Sequence, residues 1–456
     1  MLNLRLDEVA LWTRGRQFGA DAAINAVITD SRRVAPGALF VALQGEHVDG
    51  HDFVVAAAAC GAAAALVSRR VESVLPQVLV DDVLLALGDL ASSVRAQRRA
   101  RVVGITGSSG KTTVKGLLAA ILARRGVTHV TAGNYNNEIG LPLTLLAMPA
   151  DAEYAVLEMG AGKPGDIAYL AAIARPQVAL VTNIGAAHLE RLGSVDGVAS
   201  TKGALYEALP ADGIAVINAD DAYAGFFAGL AGTRRVLRFG LGSDTEVGVA
   251  ELALAADGSR FRLLTPAGAA AVQLPLPGRH NVHNALAAAA VATALDIPLA
   301  DIVAGLETAN AVPGRLVRRV MPGGWTLIDD SYNANPGSVA AAIATLALAG
   351  GETWLVLGDM AELGAGAEAL HAAVGAQARA AGIGRLFTVG RLSRAASAAF
   401  GSAGMHCHDQ AALIAALRAA LHAGVTCLVK GSRSSGMERV VAALSGDTAG
   451  GATHAA

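Results

Sequence analysis

Between residues 104 and 113 the chain reads Gly-Ile-Thr-Gly-Ser-Ser-Gly-Lys-Thr-Thr, residue types suited to holding a polyphosphate. Small residues let backbone N–H groups close around phosphate oxygens, and a helix that starts at the end of the loop adds its positive pole. Lys111 would reach the terminal phosphates and the Thr112 hydroxyl would hold a Mg2+ ion, with Gly107, Ser108, Ser109, Gly110 and Thr113 completing the cradle. An apolar run, Arg101-Val-Val-Gly-Ile, precedes the loop, and a helix-forming run, Val114-Lys-Gly-Leu-Leu-Ala-Ala-Ile-Leu, follows it. Strand, glycine-rich turn, helix is the context this chemistry requires. The general signature has a glycine five residues before Gly110, where Ile105 stands; the glycine is at 107 instead, giving the shorter Gly-x-x-Gly-Lys-Thr. An ordinary Gly/Ser turn is the competing reading, and the adjoining Lys-Thr-Thr weighs against it. The chain is expected to bind a nucleoside triphosphate.

Further polar residues follow at the ends of apolar runs. Glu158 closes the strand-like Tyr154-Ala-Val-Leu, and a carboxylate at the C-terminal end of a parallel strand beside a phosphate loop can take Mg2+. A glutamate capping a strand is common, so alone it decides little. His188, after Thr182-Asn-Ile-Gly-Ala-Ala, could equally be a surface histidine. Lys202, in Ser200-Thr-Lys-Gly-Ala-Leu-Tyr, is read as opening a helical stretch, where a lone lysine is ordinarily a solvated charge. Asn281 and Asn284 lie one helical turn apart, able to read a purine edge or to cap the helix.

Composition bounds the elements that must position these groups. With 456 residues the chain is too long for one core, and roughly two to four domains are expected. A net charge of −2 provides no field for gathering nucleic acid or an anionic membrane, so neither is expected as a partner. Cys60, Cys407 and Cys427 are scattered and form no disulfide framework or zinc spacing. His406-Cys407-His408-Asp409 has metal-binding residue types, but consecutive residues cannot all converge on one ion; a strand end or surface loop is the expectation. The N-terminus lacks the apolar core of a signal peptide, and residues 54–67 are too short to span a bilayer, so a cytoplasmic protein is expected.

Strand-like runs at 154–158, 178–182 and 214–218 alternate with alanine-rich helical stretches, the βαβ pattern of a parallel sheet. Residues 245–276 alternate over short spans and are expected to form antiparallel hairpins at a sheet edge. Beyond Val312-Pro-Gly-Arg315 three more strands are read, at 325–329, 353–357 and 426–430, again between helices. Boundaries are placed after residues 98 and 312. This gives an α/β chain of three domains, 1–98, 99–312 and 313–445, with a disordered tail over 446–456.

The order of motifs resembles the Mur ligase family, ATP-dependent amide-forming enzymes of peptidoglycan synthesis. The shared pattern is Gly-Ser-x-Gly-Lys-Thr-Thr, Asn-x-Asn-Asn-x-Ile-Gly-x-Pro at 134–142, Glu-x-Gly, Thr-Asn…His, Lys-Gly, His-Asn-x-x-Asn and Pro-Gly-Arg. Asp329-Asp-Ser-Tyr-Asn-Ala-Asn-Pro336 and Leu357-Gly-Asp-Met-Ala-Glu-Leu-Gly364 resemble the branch that adds D-alanyl-D-alanine to UDP-N-acetylmuramoyl-tripeptide. Asp30-Ser-Arg32, Phe40-Val-Ala-Leu-Gln-Gly45 and Asp49-Gly-His-Asp-Phe53 resemble its UDP-sugar-binding domain. The resemblance implies a UDP-binding first domain, a central P-loop ATPase domain and a Rossmann-like third domain.

It also implies roles. Residues 107–113 would hold ATP, with Thr112 and Glu158 on Mg2+. His188 would bind a second Mg2+, supported by Lys202 as a carbamate. Asn281 and Asn284 would face adenine, and Arg315 and Asp330 would close on ATP from the third domain. Ser31 and Arg32 are the candidates for uridine or pyrophosphate, and Asn137 and Asn333 for substrate, Asn333 toward the dipeptide. The implied enzyme is a monomer.

Alternatives within the class are another Mur ligase or a folylpolyglutamate synthetase. The third-residue Mur ligase would carry Asp-Asn-Pro-Arg, which is absent, and the folate enzyme would lack Asp-Gly-His-Asp-Phe. From another class, a phosphate-loop regulatory NTPase or small-molecule kinase would explain Lys111 and Thr112 but leave His188, Lys202 and the third-domain motifs without a task.

Overall fold

The computed structural model of the chain describes residues 2–45 and 47–446; apart from Gly446, the expected tail lies outside the described residues. Three α/β units follow one another, each sheet drawing its strands from one stretch of sequence. The central sheet has six parallel strands in the order Arg235–Phe239, Ile214–Asn218, Val178–Val181, Arg101–Thr106, Tyr154–Glu158, Thr128–Val130. Its inner strands are buried on both faces, which is why they read as unbroken apolar runs rather than alternations.

Arg101–Thr106 lies between Tyr154–Glu158 on one side and Val178–Val181 on the other, so the winding reverses across it. Sheets of this kind leave a crevice beyond the carboxyl ends of the strands at such a reversal. Gly107, Met159 and Thr182, which follow those three strands, therefore meet at one end of the sheet.

The hairpins at 245–276 exist, but as a separate antiparallel sheet, Gly248–Ala255, Gly258–Thr265 and Gly268–Leu274, not as edge strands of the main sheet. Phe261, Leu263, Val272 and Leu274 supply its apolar face, packed onto the helix Arg279–Ala294. That helix is nearly all alanine beyond Leu286 and is buried along its length, small side chains letting sheet and helices approach it from several sides. Lys202 differs from expectation: it lies inside the helix Val195–Glu207 rather than opening it, because the Ser194 side chain caps the Gly197 N–H and starts the helix earlier.

The first unit carries a five-stranded sheet, Arg16–Phe18, Gln77–Leu79, Ala64–Val67, Ala38–Val41, Ala26–Ile28, parallel except at its first pair. Its helix Val83–Ala96 packs on the central helices Gly140–Leu146 and Asp166–Ala174 in one continuous core that includes Leu87, Leu90, Leu141 and Leu170. Gly88 permits that approach: a Cβ there would lie 2.3 Å from the Tyr169 hydroxyl.

The third unit holds six strands where sequence gave three. Their order is Val317–Val320, Thr326–Asp330, Val425–Lys430, Glu352–Leu357, Arg385–Val389, Gly404–Cys407. The outermost two, Val-Arg-Arg-Val and Gly-Met-His-Cys, are edges with charged or exposed positions and so show no apolar run. The 406–409 cluster is a strand end, with Asp409 capping the helix that follows.

Candidate functional site

The crevice predicted by the strand order opens into a cleft of about 1430 Å3, lined by residues of the central and third units. The loop at its floor needs its glycines. Gly107 (φ 146°) lies against Thr182, whose Oγ1 would be 1.9 Å from an added Cβ, and Gly110 (φ 84°) lies against Asn284, whose Oδ1 would be 2.4 Å away. Side chains at either position would be strained by conformation and by space. The loop after Val178–Val181 splints it: Ser109 N–H donates to Asn183 Oδ1 at 3.0 Å, and Asn183 Nδ2 and Thr182 Oγ1 donate to the Ser109 carbonyl at 3.1 and 2.6 Å.

Lys111, first residue of the helix Lys111–Leu122, turns its ammonium back to the Gly107 carbonyl at 2.7 Å. Desolvation lowers its pKa, with Glu158 opposing and Arg315 adding to the fall. Glu158 is almost wholly buried and held on every side. Thr112 Oγ1 donates to it at 3.0 Å, Asn136 Nδ2 at 2.8 Å, and Lys115 Nζ lies 3.2 Å away. Burial would raise its pKa, but the charges of Lys111 and Lys115 and these hydrogen bonds bring it below the ordinary value, so it stays an anion.

His188 lines the same cleft and pairs through Nδ1 with Glu362, a third-unit residue. Burial lowers its pKa against the pull of Glu362. Lys202 is 1% exposed and makes no hydrogen bond or ion pair among the described residues. Desolvation, then repulsion from Lys111, depresses its pKa well below the usual range. Asn284 Nδ2 donates to Asn281 Oδ1 at 3.2 Å, so the two amides act as one unit above Gly110.

The third unit reaches the loop directly. Arg315 Nη2 donates to Thr112 Oγ1 at 3.1 Å, its guanidinium stacked 4.4 Å over the Tyr332 ring, while its buried Nε has no partner among the described residues. Asn335, which caps the helix Pro336–Leu346, donates through Nδ2 to Ser109 Oγ at 3.1 Å. Asp330 is bound by Lys430 at 2.6 Å; burial raises its pKa against that ion pair.

Among the sequence candidates, 107–113, Glu158, His188, Asn281, Asn284, Arg315 and Asp330 are thus gathered at the cleft, with Lys202 near enough to Lys111 for their charges to interact. Asn137 and Asn333 line it too, Asn137 capping the Gly140 N–H and Asn333 fixing its own loop. Ser31 and Arg32 do not join them: they lie in a turn of the first unit, where Arg32 is held bidentately by Asp30 at 2.9 Å.

Comparison with known proteins agrees in every unit. Residues 23–102 match the model of the Mur ligase family, catalytic domain, 105–292 the Mur ligase middle domain, and 314–433 the Mur ligase, glutamate ligase domain. The UDP-N-acetylmuramoyl-tripeptide–D-alanyl-D-alanine ligase of Escherichia coli K12 is 48% identical over 97% of this chain and 99% of its own. The chain belongs to the Mur ligase family.

Solved Mur ligases share the whole architecture. The crystal structure of MurF from Acinetobacter baumannii superposes with a TM-score of 0.92 at 35% identity, covering 97% of this chain and 99% of that one. MurF ligase from Thermotoga maritima in complex with ADP superposes at 0.83 with 28% identity, covering 93% and 97%. The present Mur ligase is accordingly an ATP-dependent, ADP-forming amide ligase of three α/β domains.

Sequence reasoning missed Lys115, Asn335, Lys430 and Glu362. Lys115 had a usable signal, since it stands one helical turn beyond Lys111 and shares its face. The other three come from the third domain: Asn335 reaches Ser109 of the loop and Glu362 reaches His188 only through domain packing, and Lys430 meets Asp330 across neighbouring strands of its own sheet.

Proposed function

We propose that this Mur ligase joins D-alanyl-D-alanine to UDP-N-acetylmuramoyl-tripeptide at the expense of ATP, giving ADP, phosphate and the pentapeptide precursor of peptidoglycan. The observation that carries the reading is the likeness to the E. coli enzyme, which runs through all three domains. A carboxylate is a poor electrophile; transfer of the γ-phosphoryl group to the tripeptide's terminal carboxylate gives an acyl phosphate. The dipeptide amine then adds to its carbonyl carbon, and phosphate leaves from the tetrahedral adduct.

In this reading Lys111 leaves the Gly107 carbonyl for the phosphates, and the N–H groups of 107–113 hold their oxygens. The unpartnered Nε of Arg315 gains an anionic partner there, which ties closure of the third domain to nucleotide. Asp330, anchored by Lys430, accompanies it, and Asn281 with Asn284 borders the adenine. Asn333 and Asn137 are assigned to the peptide substrates, and Ser31 and Arg32 to the uridine diphosphate, for which Arg32 would exchange Asp30 for phosphate.

Mg2+ fits the residues present. Thr112 and Glu158 offer adjoining hard oxygens, and no group of three His, Cys, Asp or Glu converges among the described residues. Mg2+ uses few protein ligands and completes its shell with phosphate and water, so a cage is not required. A second ion would fall to His188 and a Lys202 carbamate. Carbamylation needs a neutral amine, and a buried lysine without a counter-ion supplies one. Bound Mg2+ would offset repulsion between the anionic substrates.

The same reading makes the enzyme a cytoplasmic monomer. No helix among the described residues is long and apolar enough to cross a membrane. Domain boundaries after residues 98 and 312 belong to it as well. The test is phosphate release from the purified enzyme across a panel of amines: turnover strictly dependent on both UDP-tripeptide and D-alanyl-D-alanine is expected. Turnover without either would indicate a regulatory NTPase instead.

A further inference from the structure

Among the described residues His188 has one side-chain hydrogen-bond partner, and that partner, Glu362, comes from the third domain rather than the central domain that carries His188. The contact has two points, since the Glu190 N–H also donates to the Glu362 carbonyl at 3.3 Å. Both partners are held in left-handed backbone, His188 at φ 56° and Glu362 at φ 61°. Non-glycine residues rarely adopt that conformation, and where they do, the surroundings impose it, commonly at functional sites. Neither residue is left with this geometry by accident of a loose loop: His188 opens the short helix Leu189–Leu192, and Glu362 precedes a turn whose Gly364 abuts Glu190.

We propose that Glu362 is a positioning residue for His188, fixing the imidazole tautomer from across the domain interface. A carboxylate accepts a hydrogen bond from Nδ1–H and so selects that tautomer, leaving the Nε2 lone pair free. Nε2 has no hydrogen-bond partner among the described residues. Because the acceptor belongs to the third domain, the imidazole is set only while that domain is docked. Arg315 and Asn335 make the same domain report on the phosphate loop; Glu362 makes it report on His188. The inference rests on His188 acting in the reaction, as proposed above.

Histidine-selective 15N labelling reads the tautomer directly in metal-free protein saturated with ADP, the His188 signal being assigned by its loss in His188→Gln. Wild type is expected to show the Nδ1–H form and Glu362→Ala a mixture or the Nε2–H form. Glu362→Gln, which keeps an acceptor oxygen, retains the wild-type tautomer and recovers most of the activity. Glu362→Ala lowers kcat by about 10–100-fold, the usual cost of losing a carboxylate behind a ligating histidine, with KM for D-alanyl-D-alanine within about threefold. An unchanged tautomer in Glu362→Ala, or an unchanged kcat, overturns the proposal. Wild-type activity in His188→Gln would instead overturn the underlying role of His188, so the two failures are distinguishable.

Discussion

Lys115 and Lys202 lie in the same domain, 7% and 1% exposed, and are treated in opposite ways. Lys115 is surrounded by acceptors, with Glu158 Oε2 at 3.2 Å and the carbonyls of Thr131 and Gly133 at 2.8 and 3.2 Å. Lys202 has none among the described residues, and Lys111 repels its charge. A buried cation must be paired or discharged. Lys115 is paired, and serves to hold Glu158 ionised and in place. Lys202 is unpaired and its pKa is depressed by burial, the direction that favours a neutral amine. Paired burial organises the site; unpaired burial shifts the lysine toward its neutral form.

The largest effect is expected at Lys111, which borders both. Lys111→Ala should lower turnover by about 10²–10³-fold, the scale for one lost transition-state donor, and should also raise the Lys202 pKa by removing its repelling neighbour. Lysine-selective NMR titration checks the second part; an unmoved Lys202 would separate the two groups.

Next is Lys115→Met. It leaves Glu158 buried without its nearest cation and should cost about 3–5 kcal/mol in stability, measured by denaturant unfolding. The pH dependence has a definite sign. In the wild type the Glu158 pKa is lowered from 4.5, so its contribution is present above that value and is lost as pH falls through the folded pKa. In Lys115→Met the loss should begin at higher pH.

The smallest effect is the reverse in sign. Lys202→Met should raise the melting temperature by about 2–4 °C, the shift for roughly 1 kcal/mol in a domain of this size. Between the depressed folded pKa of Lys202 and the unfolded 10.5, the unfolded chain binds the extra proton, so wild-type stability rises with pH across that window. Lys202→Met should lack this slope. A destabilised Lys202→Met would mean that the amine is structurally satisfied after all.

What could be seen in the sequence follows the same division. The phosphate loop was legible because its cradle is built from contiguous residues whose glycines answer a local need, the positive φ of Gly107 and Gly110. Glu158 was legible as a strand end. Its grip by Lys115 was not, since a lysine in a helix looks the same whether it faces water or a carboxylate. The burial of Lys202 was equally hidden: Ser194 starts its helix a full two turns earlier than expected, and Lys202 lies on the buried face of that helix with Val198 and Leu205. The contacts of Glu362 and Asn335 depend on how the third domain docks, and that of Lys430 with Asp330 on strand pairing within the third domain, neither of which a local pattern encodes. The antiparallel strands at 248–274 were legible from their alternation, but their separation from the main sheet was not, because pairing partners are chosen by packing on the helix Arg279–Ala294.

The most direct test of the central claim, that Lys202 is held neutral to become an anionic carbamate, is chemical rescue. Lys202→Ala and Lys115→Ala are assayed for D-alanyl-D-alanine-dependent phosphate release with and without short-chain carboxylic acids. Lys202→Ala is expected to be nearly inactive and to regain activity as the acid fills the space of the lost carbamate, while Lys115→Ala is expected to gain nothing. Wild-type activity in Lys202→Ala without added acid would contradict the account.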